Sequence, residues 1–381
     1  MSATTPTKLV VLGTDHSAQL VAESYQPAVF RAFFDRAHPD AMCIERPPEE
    51  YLRDGYYAEY GYEARYLAPR WARERGIAIY PIDWVLPADD QWLVWGVPDV
   101  DGPPFLRTAG YVRSLMHFGE EAHHLDLFFA EAKGPRQRVA AWYDQPRQPG
   151  ERDFPRRLGL YRTFLQAMRI KTVARKHPGG TVLVMIGYFH KGDVEGVLGG
   201  TPSLEIVQPS TFGYPAPDEV EAAIRREDLF AILSFNLLGV QSKQGLVDWD
   251  WLHRSFSRLE GAGLTAELLL LRTRMAVLHS GLPPREAIEQ YGQARVMAGA
   301  GEHFTFDGVV DRRRIDSYYD PFGNLTIHER ALLEQAREYH KLGRADAVRE
   351  RLRELRGVAR ASDIQGRQLE AYWEEFVSRT S

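Results

Sequence analysis

Two histidines follow glycines at the same spacing, Gly13-Thr14-Asp15-His16 and Gly187-Tyr188-Phe189-His190, and each Gly-x-x-His motif closes an apolar run. Three carboxylates stand beside similar runs: Asp15 next to the first histidine, Glu45 after Met42-Cys43-Ile44, and Asp83 after Ile82. Two imidazoles with one or two carboxylates form a ligand set for Zn, Mn, Co or Fe. A metal there would activate water and polarise a carbonyl. The same residues also serve metal-free chemistry, in which a carboxylate orients a histidine that moves a proton to or from water.

For these residues to meet, the runs that carry them must be neighbouring strands. Leu9–Leu12, Ala41–Glu45, Ile77–Ile82, Thr181–Ile186 and Leu204–Val207 are short, apolar and rich in β-branched residues, as strands buried on both faces are. Near-helical apolar spacing between them predicts helices over Gln19–Arg36, Glu63–Arg75 (stopped by Gly76), Phe105–Lys133, Phe154–Lys176 and His190–Leu198. Residues 84–104 read as an irregular excursion and 134–153 as a loop. Strand and helix alternate from residue 8 to 210, which predicts an α/β fold: a mostly parallel β-sheet flanked by helices. The carboxyl ends of such strands share one rim, where open α/β sheets bind ligands. His16, Glu45 and His190 are then the candidate catalytic residues or metal ligands, and Asp15, Asp83 and Tyr188 are placed to touch a substrate. After Gly213 only helical patterns follow, at 217–236, 243–260, 263–280, 284–298, 326–355 and 363–378. The expected division is an α/β domain over 1–213 and a helical domain or lid over 214–381.

Composition narrows the function classes. The 381 residues are 44% hydrophobic and 26% charged, with a net charge of −5. That is a globular balance without the basic excess of a general nucleic-acid or anionic-membrane binder. The one cysteine, Cys43, rules out an intramolecular disulfide and any cysteine-based metal cluster. The apolar run at Leu9 is too short for a signal h-region, and no run reaches the ~18 residues of a membrane span. The expectation is a cytoplasmic protein acting on a small molecule or peptide, without nucleic-acid or membrane partners.

Other clusters have structural readings. Glu120-Glu121-Ala122-His123-His124 holds one Glu-x-x-His spacing where a di-iron bundle needs two, so a solvated helix face explains it. Trp249, Trp251 and His253 sit at helical spacing among apolar residues, as packing positions do. Tyr51, Tyr56, Tyr57, Tyr60 and Tyr62 suit either a pocket wall or a packed loop. Segment 336–348 has a faint tetratricopeptide character with no repeat to support it. Phosphate-binding loops, dinucleotide fingerprints and nucleophile elbows are absent from the sequence.

Taken together, Gly-Thr-Asp-His16, Ile44-Glu45-Arg46, Ile82-Asp83 and Gly-Tyr-Phe-His190 resemble the TraB/Tiki superfamily, which also takes in ChaN-like haem-binding proteins and erythromycin esterase-like enzymes. The resemblance covers about residues 8–200. It matches the family's helical arginine to Arg169, in Met168-Arg169-Ile-Lys-Thr-Val173-Ala174; Ile170 replaces the usual Asn there, and a shift of one or two turns would select Arg162 or Arg175. The resemblance implies hydrolysis of an ester or an amide/peptide bond by His16, Glu45, Arg169 and His190. The cofactor it implies is a divalent metal, haem or none. Rival readings are a haem or metal carrier without turnover, and a biosynthetic tailoring enzyme using the same residues for other acid–base chemistry.

Overall fold

A computed structural model describes residues 5–48, 61–84, 115–144, 154–244, 246–261, 263–299, 301–306, 308, 314–358 and 363–380. The excursion beyond Trp84, the tyrosines at 51–60 and residues 145–153 lie outside this set. The chain forms two compact units, residues 1–104 with 121–224, and residues 105–120 with 225–381.

The first unit is built on five parallel strands: β1 Thr7–Thr14, β2 Ala41–Ile44, β3 Ala78–Pro81, β4 Thr181–Gly187 and β5 Leu204–Val207, in the order β3-β2-β4-β1-β5. This is the α/β architecture read from the sequence. β4 pairs along its whole length with β1, from Lys8 opposite Thr181 to Thr14 opposite Gly187, so the two Gly-x-x-His motifs leave the sheet side by side. On one face Leu9, Val11, Cys43, Val182 and Val184 pack against Ala167, Ile170 and Val173 of a long helix and Val194 and Leu198 of a shorter one. On the other, Val10, Leu12, Met42 and Leu183 are equally buried.

The helices of this unit are α1 Pro27–Ala37, α2 Ala68–Glu74, α3 Lys133–Asp144, α4 Phe154–Ala174, α5 Tyr188–Leu198 and α6 Pro217–Ala223. Several differ from the sequence reading, each for a local reason. The helix expected from Gln19 begins at Pro27, because proline fits the first turn and cannot continue a helix from behind. Single turns at 18–20 and 23–25 precede it. No long helix fills the described part of 105–133. Short turns at 120–124 and 129–131 occupy it, and the Asp126 carboxylate binds the Phe128 N–H at 2.8 Å, holding the chain in a turn. Where a loop was expected after residue 134, α3 forms instead; Gly134 and Pro135 sit in its tolerant first turn and good helix formers follow. α5 starts at Tyr188, so His190 stands in the first helical turn. The expected domain boundary at 213 lies at Ile224, because Val220, Ala223 and Ile224 pack against Ala28 and Ala32 of α1.

The second unit is helical, as expected: α7 Arg226–Leu238, α8 Trp249–Glu260, α9 Ala266–Met275, α10 Pro284–Met297, α11 Ile327–Lys341, α12 Ala345–Val358 and α13 Asp363–Thr380. Among the described residues no helix is long and apolar enough to cross a membrane.

Candidate functional site

The rim brings His16, Glu45, Asp83 and His190 together, and the contacts run through Glu45. Its Oε2 accepts the Gly187 N–H at 2.5 Å and lies 3.5 Å from His16 Nε2, while its Oε1 lies 3.4 Å from His190 Nε2. Both motif glycines are close-approach positions. A Cβ on Gly187 would stand 2.7 Å from His16 Nε2, and one on Gly13 would stand 2.7 Å from the Ala130 Cβ.

Each imidazole is held at its other nitrogen. His16 Nδ1 lies 2.5 Å from Glu63 Oε1, in the π-helical turn Glu63–Leu67 ahead of α2. Glu63 is fully buried and also accepts the Ser17 N–H at 3.0 Å. Thr14 contributes a hydroxyl 3.2 Å from its Oε1. A carboxylate at that position accepts, so His16 carries its proton on Nδ1. Ser17 has φ 65°, a left-handed conformation unusual for a non-glycine residue. Its bonds to Glu63 and from the Tyr62 N–H (2.9 Å, to Ser17 Oγ) hold it there. At His190, Thr163 Oγ1 lies 2.7 Å from Nδ1 and donates its one proton to the Gly159 carbonyl at 2.9 Å. It therefore accepts from His190, which is again protonated on Nδ1. Both Nε2 atoms are thus presented to Glu45.

The charges follow from this wiring. Burial works against a charged His16, but Glu63 and Glu45, which flank and hydrogen-bond the ring, outweigh it and hold the imidazole well above its ordinary value of 6.5. Burial likewise opposes Glu45 ionisation, and His190 and His16 overcome it and hold the carboxyl well below its ordinary value of 4.5. His16 is the open member, its side chain 40% exposed against 9% for His190 and 4% for Glu45.

An arginine completes the cluster. Arg162 of α4 donates from Nε and Nη2 to the two oxygens of Asp83, each at 2.8 Å, and from Nη2 to Glu45 Oε1 at 2.9 Å. Such a fork fixes direction as well as charge. Gln166 adds a bond to Asp83 Oδ1 at 2.7 Å. Arg169, the arginine matched through the family resemblance, donates instead to the Asp83 backbone carbonyl. Asp83, 1% exposed with both oxygens engaged, stands behind Arg162. Tyr188 turns its ring onto Phe129, with centroids 5.5 Å apart. The Asp15 carboxyl is raised by burial, with the neighbouring His16 opposing.

Glu63, Thr163 and Gln166 were not singled out from the sequence. The last two carried a signal: they are polar, at most 1% exposed, and lie on the face of α4 that otherwise presents Ala167, Ile170 and Val173 to the sheet. Glu63 carried almost none, because an acid at a helix start is ordinary.

The imidazoles and Glu45 have the chemistry of metal donors, but their arrangement does not fit a cation. Arg162 and the Gly187 N–H already occupy the two Glu45 oxygens, and the guanidinium supplies positive charge where a metal would add its own. Among the described residues no group of three or more His, Cys, Asp or Glu side chains is arranged to hold a metal ion. Compared with known proteins, the chain matches no family model, no curated protein and no solved structure.

Proposed function

We propose that this chain is a hydrolase of ester or amide bonds that works by histidine acid–base chemistry at the sheet rim, as the motif resemblance to the TraB/Tiki superfamily implies. The observation that carries the reading is the bridging of two imidazoles by one carboxylate, each ring held at Nδ1 so that Nε2 faces Glu45. A histidine with only a structural role needs neither a second imidazole nor a buried carboxylate between them.

In the proposed cycle His190 first releases its Nε2 proton to solvent, then takes a proton from the attacking water at that nitrogen, and Glu45 stabilises the imidazolium that reforms. The hydroxide adds to the substrate carbonyl. Arg162, fixed by Asp83, places its positive charge beside the developing oxyanion. His16, held charged by Glu63 and Glu45 and open to solvent, gives its Nε2 proton to the leaving oxygen or nitrogen as the carbon–heteroatom bond breaks. Proton exchange with solvent at His16 and His190 restores the start. Water supplies the hydroxyl of the acid product and the proton of the leaving group, so the step balances without a co-reactant. Arg169 acts at one remove, steadying the backbone of Asp83.

The test is turnover of a panel of simple esters and amides by the full chain after chelation, compared with His16→Ala and His190→Ala. Each substitution should cost at least about 100-fold in kcat with the circular dichroism unchanged. Full turnover in both variants overturns the reading, and activity recovered only with added Zn, Mn, Co or Fe would return a metal to the site.

A further inference from the structure

The geometry of the rim points to the substrate class: we propose that the site takes an uncharged ester or amide bearing a planar apolar group next to the carbonyl, seated between two aromatic walls. This rests on the hydrolase reading above.

The walls exist because α4 is longer than the strand it precedes. Its 21 residues span roughly 31 Å, whereas the 7 residues of β4 span roughly 23 Å. The two ends of the helix are located by their partners. Near its carboxyl end the Ala174 carbonyl accepts from Thr7 Oγ1 at the start of β1, and Arg162 meets Glu45 and Asp83 at the strand ends. The first turns of α4 therefore stand above the rim.

On the Arg162 side, Tyr161 is 52% exposed and meets Trp84 edge to face, with centroids 5.4 Å apart at 90°. The backbone of Trp84, just beyond β3, is anchored by its main-chain N–H, which donates to Asp83 Oδ1 at 2.7 Å. On the His190 side, Phe189 lies 6.1 Å from the catalytic ring and is braced by Trp142 at 4.9 Å and Tyr143 at 5.7 Å, both from α3. Aromatic rings attract a further planar group through offset or edge-to-face contacts. Tyr161, more than half exposed, and the part-buried Trp84, Phe189, Trp142 and Tyr143 border the reactive centre on two sides with apolar surface that solvent contact alone does not explain.

Charge argues for a neutral guest. Arg162 is committed to Asp83 and Glu45, and Glu63 is committed to His16. A cationic substrate would compete with Arg162 and His16 for the buried carboxylates Glu45, Asp83 and Glu63, and an anionic one would compete with those carboxylates for Arg162 and His16.

The test measures kcat/KM of the full chain for methyl phenylacetate, methyl acetate and monomethyl succinate, which share one leaving group. Wild type should prefer the phenylacetate at least about tenfold over either rival, and Trp84→Ala, Tyr161→Ala or Trp142→Ala should lower that preference about tenfold. Equal rates on the three esters, or a preference that survives all three substitutions, overturns the proposal while leaving the hydrolase reading intact. If wild type hydrolyses none of them, the hydrolase reading fails for this class. Calorimetric titration with methyl phenylacetate then decides the walls: saturable binding weakened by Tyr161→Ala supports them, and no binding overturns them.

Discussion

At His16 two carboxylates act on one ring from opposite sides, and the nearer, Glu63 at 2.5 Å, sets both its tautomer and much of its charge. Glu63→Gln should lower the His16 titration midpoint in a side-chain NMR titration, and an unmoved midpoint would remove Glu63 from the account. The sign for stability is fixed too. The His16 value is raised in the fold, so its charged form stabilises the protein fully below about 6.5, and that contribution is lost as pH rises through the folded value. Gly187 poses a steric question at the same point. Gly187→Ala puts a methyl 2.7 Å from His16 Nε2 and 3.2 Å from Glu45 Oε2, so turnover should fall by tenfold or more, with a destabilisation of about 1–3 kcal/mol in urea unfolding. At this scale the meeting of the two histidines, Glu45 and Asp83 at one rim was legible in the sequence, because each follows within three residues of a strand. Glu63 was hidden because its partner lies 47 positions away. Of the three candidate arginines, the fold selects by helical facing: Arg162 points at the carboxylates, and Arg169 reaches only the Asp83 carbonyl.

Elements were legible where apolar runs were strong. All five strands lie where β-branched runs stand between turn residues, and their parallel order follows from the helices between them. Segments ruled by single side-chain bonds were less so: the turns at 120–131 follow from local bonds such as Asp126 to Phe128 rather than from periodicity. α9 offers a pH test of its own. Glu267, in its first turn, is pushed up to about 7 by burial, while Thr305 bonds its carboxyl at 2.9 and 2.7 Å. A raised carboxyl binds a proton in the fold that the unfolded chain has released. Stability from this group is therefore full below about 4.5 and declines as pH rises to about 7. Glu267→Gln should flatten that decline when unfolding midpoints at pH 5 and 8 are compared with wild type; an unchanged slope would contradict it.

For the whole molecule, the division into an α/β unit and a helical unit was legible from the loss of strand patterns after β5. The transfer of α6 to the first unit was not, since it depends on small residues, Ala28, Ala32 and Ala223, that fit one another. The helical unit has a charged interior that composition could not reveal. Glu334 is fully buried beside Arg330 at 2.9 Å, Arg337 at 2.8 Å and Arg274 at 3.4 Å. Burial opposes its charge, and the three guanidiniums still hold its carboxyl far below the usual range. Glu334→Ala strands those cations and should destabilise the unit by about 3–5 kcal/mol in thermal or urea unfolding, where a surface pair would cost under about 1 kcal/mol.

The role proposed for His16, acid of a carboxylate-bridged histidine pair, is read out by the pH dependence of kcat on a neutral methyl ester for wild type and Glu63→Gln. Activity should fall on the alkaline side as His16 loses its proton, well above pH 6.5, with that fall moved to lower pH in the variant. Activity that instead rises through the same range, or an alkaline limb that stays in place without Glu63, would contradict it.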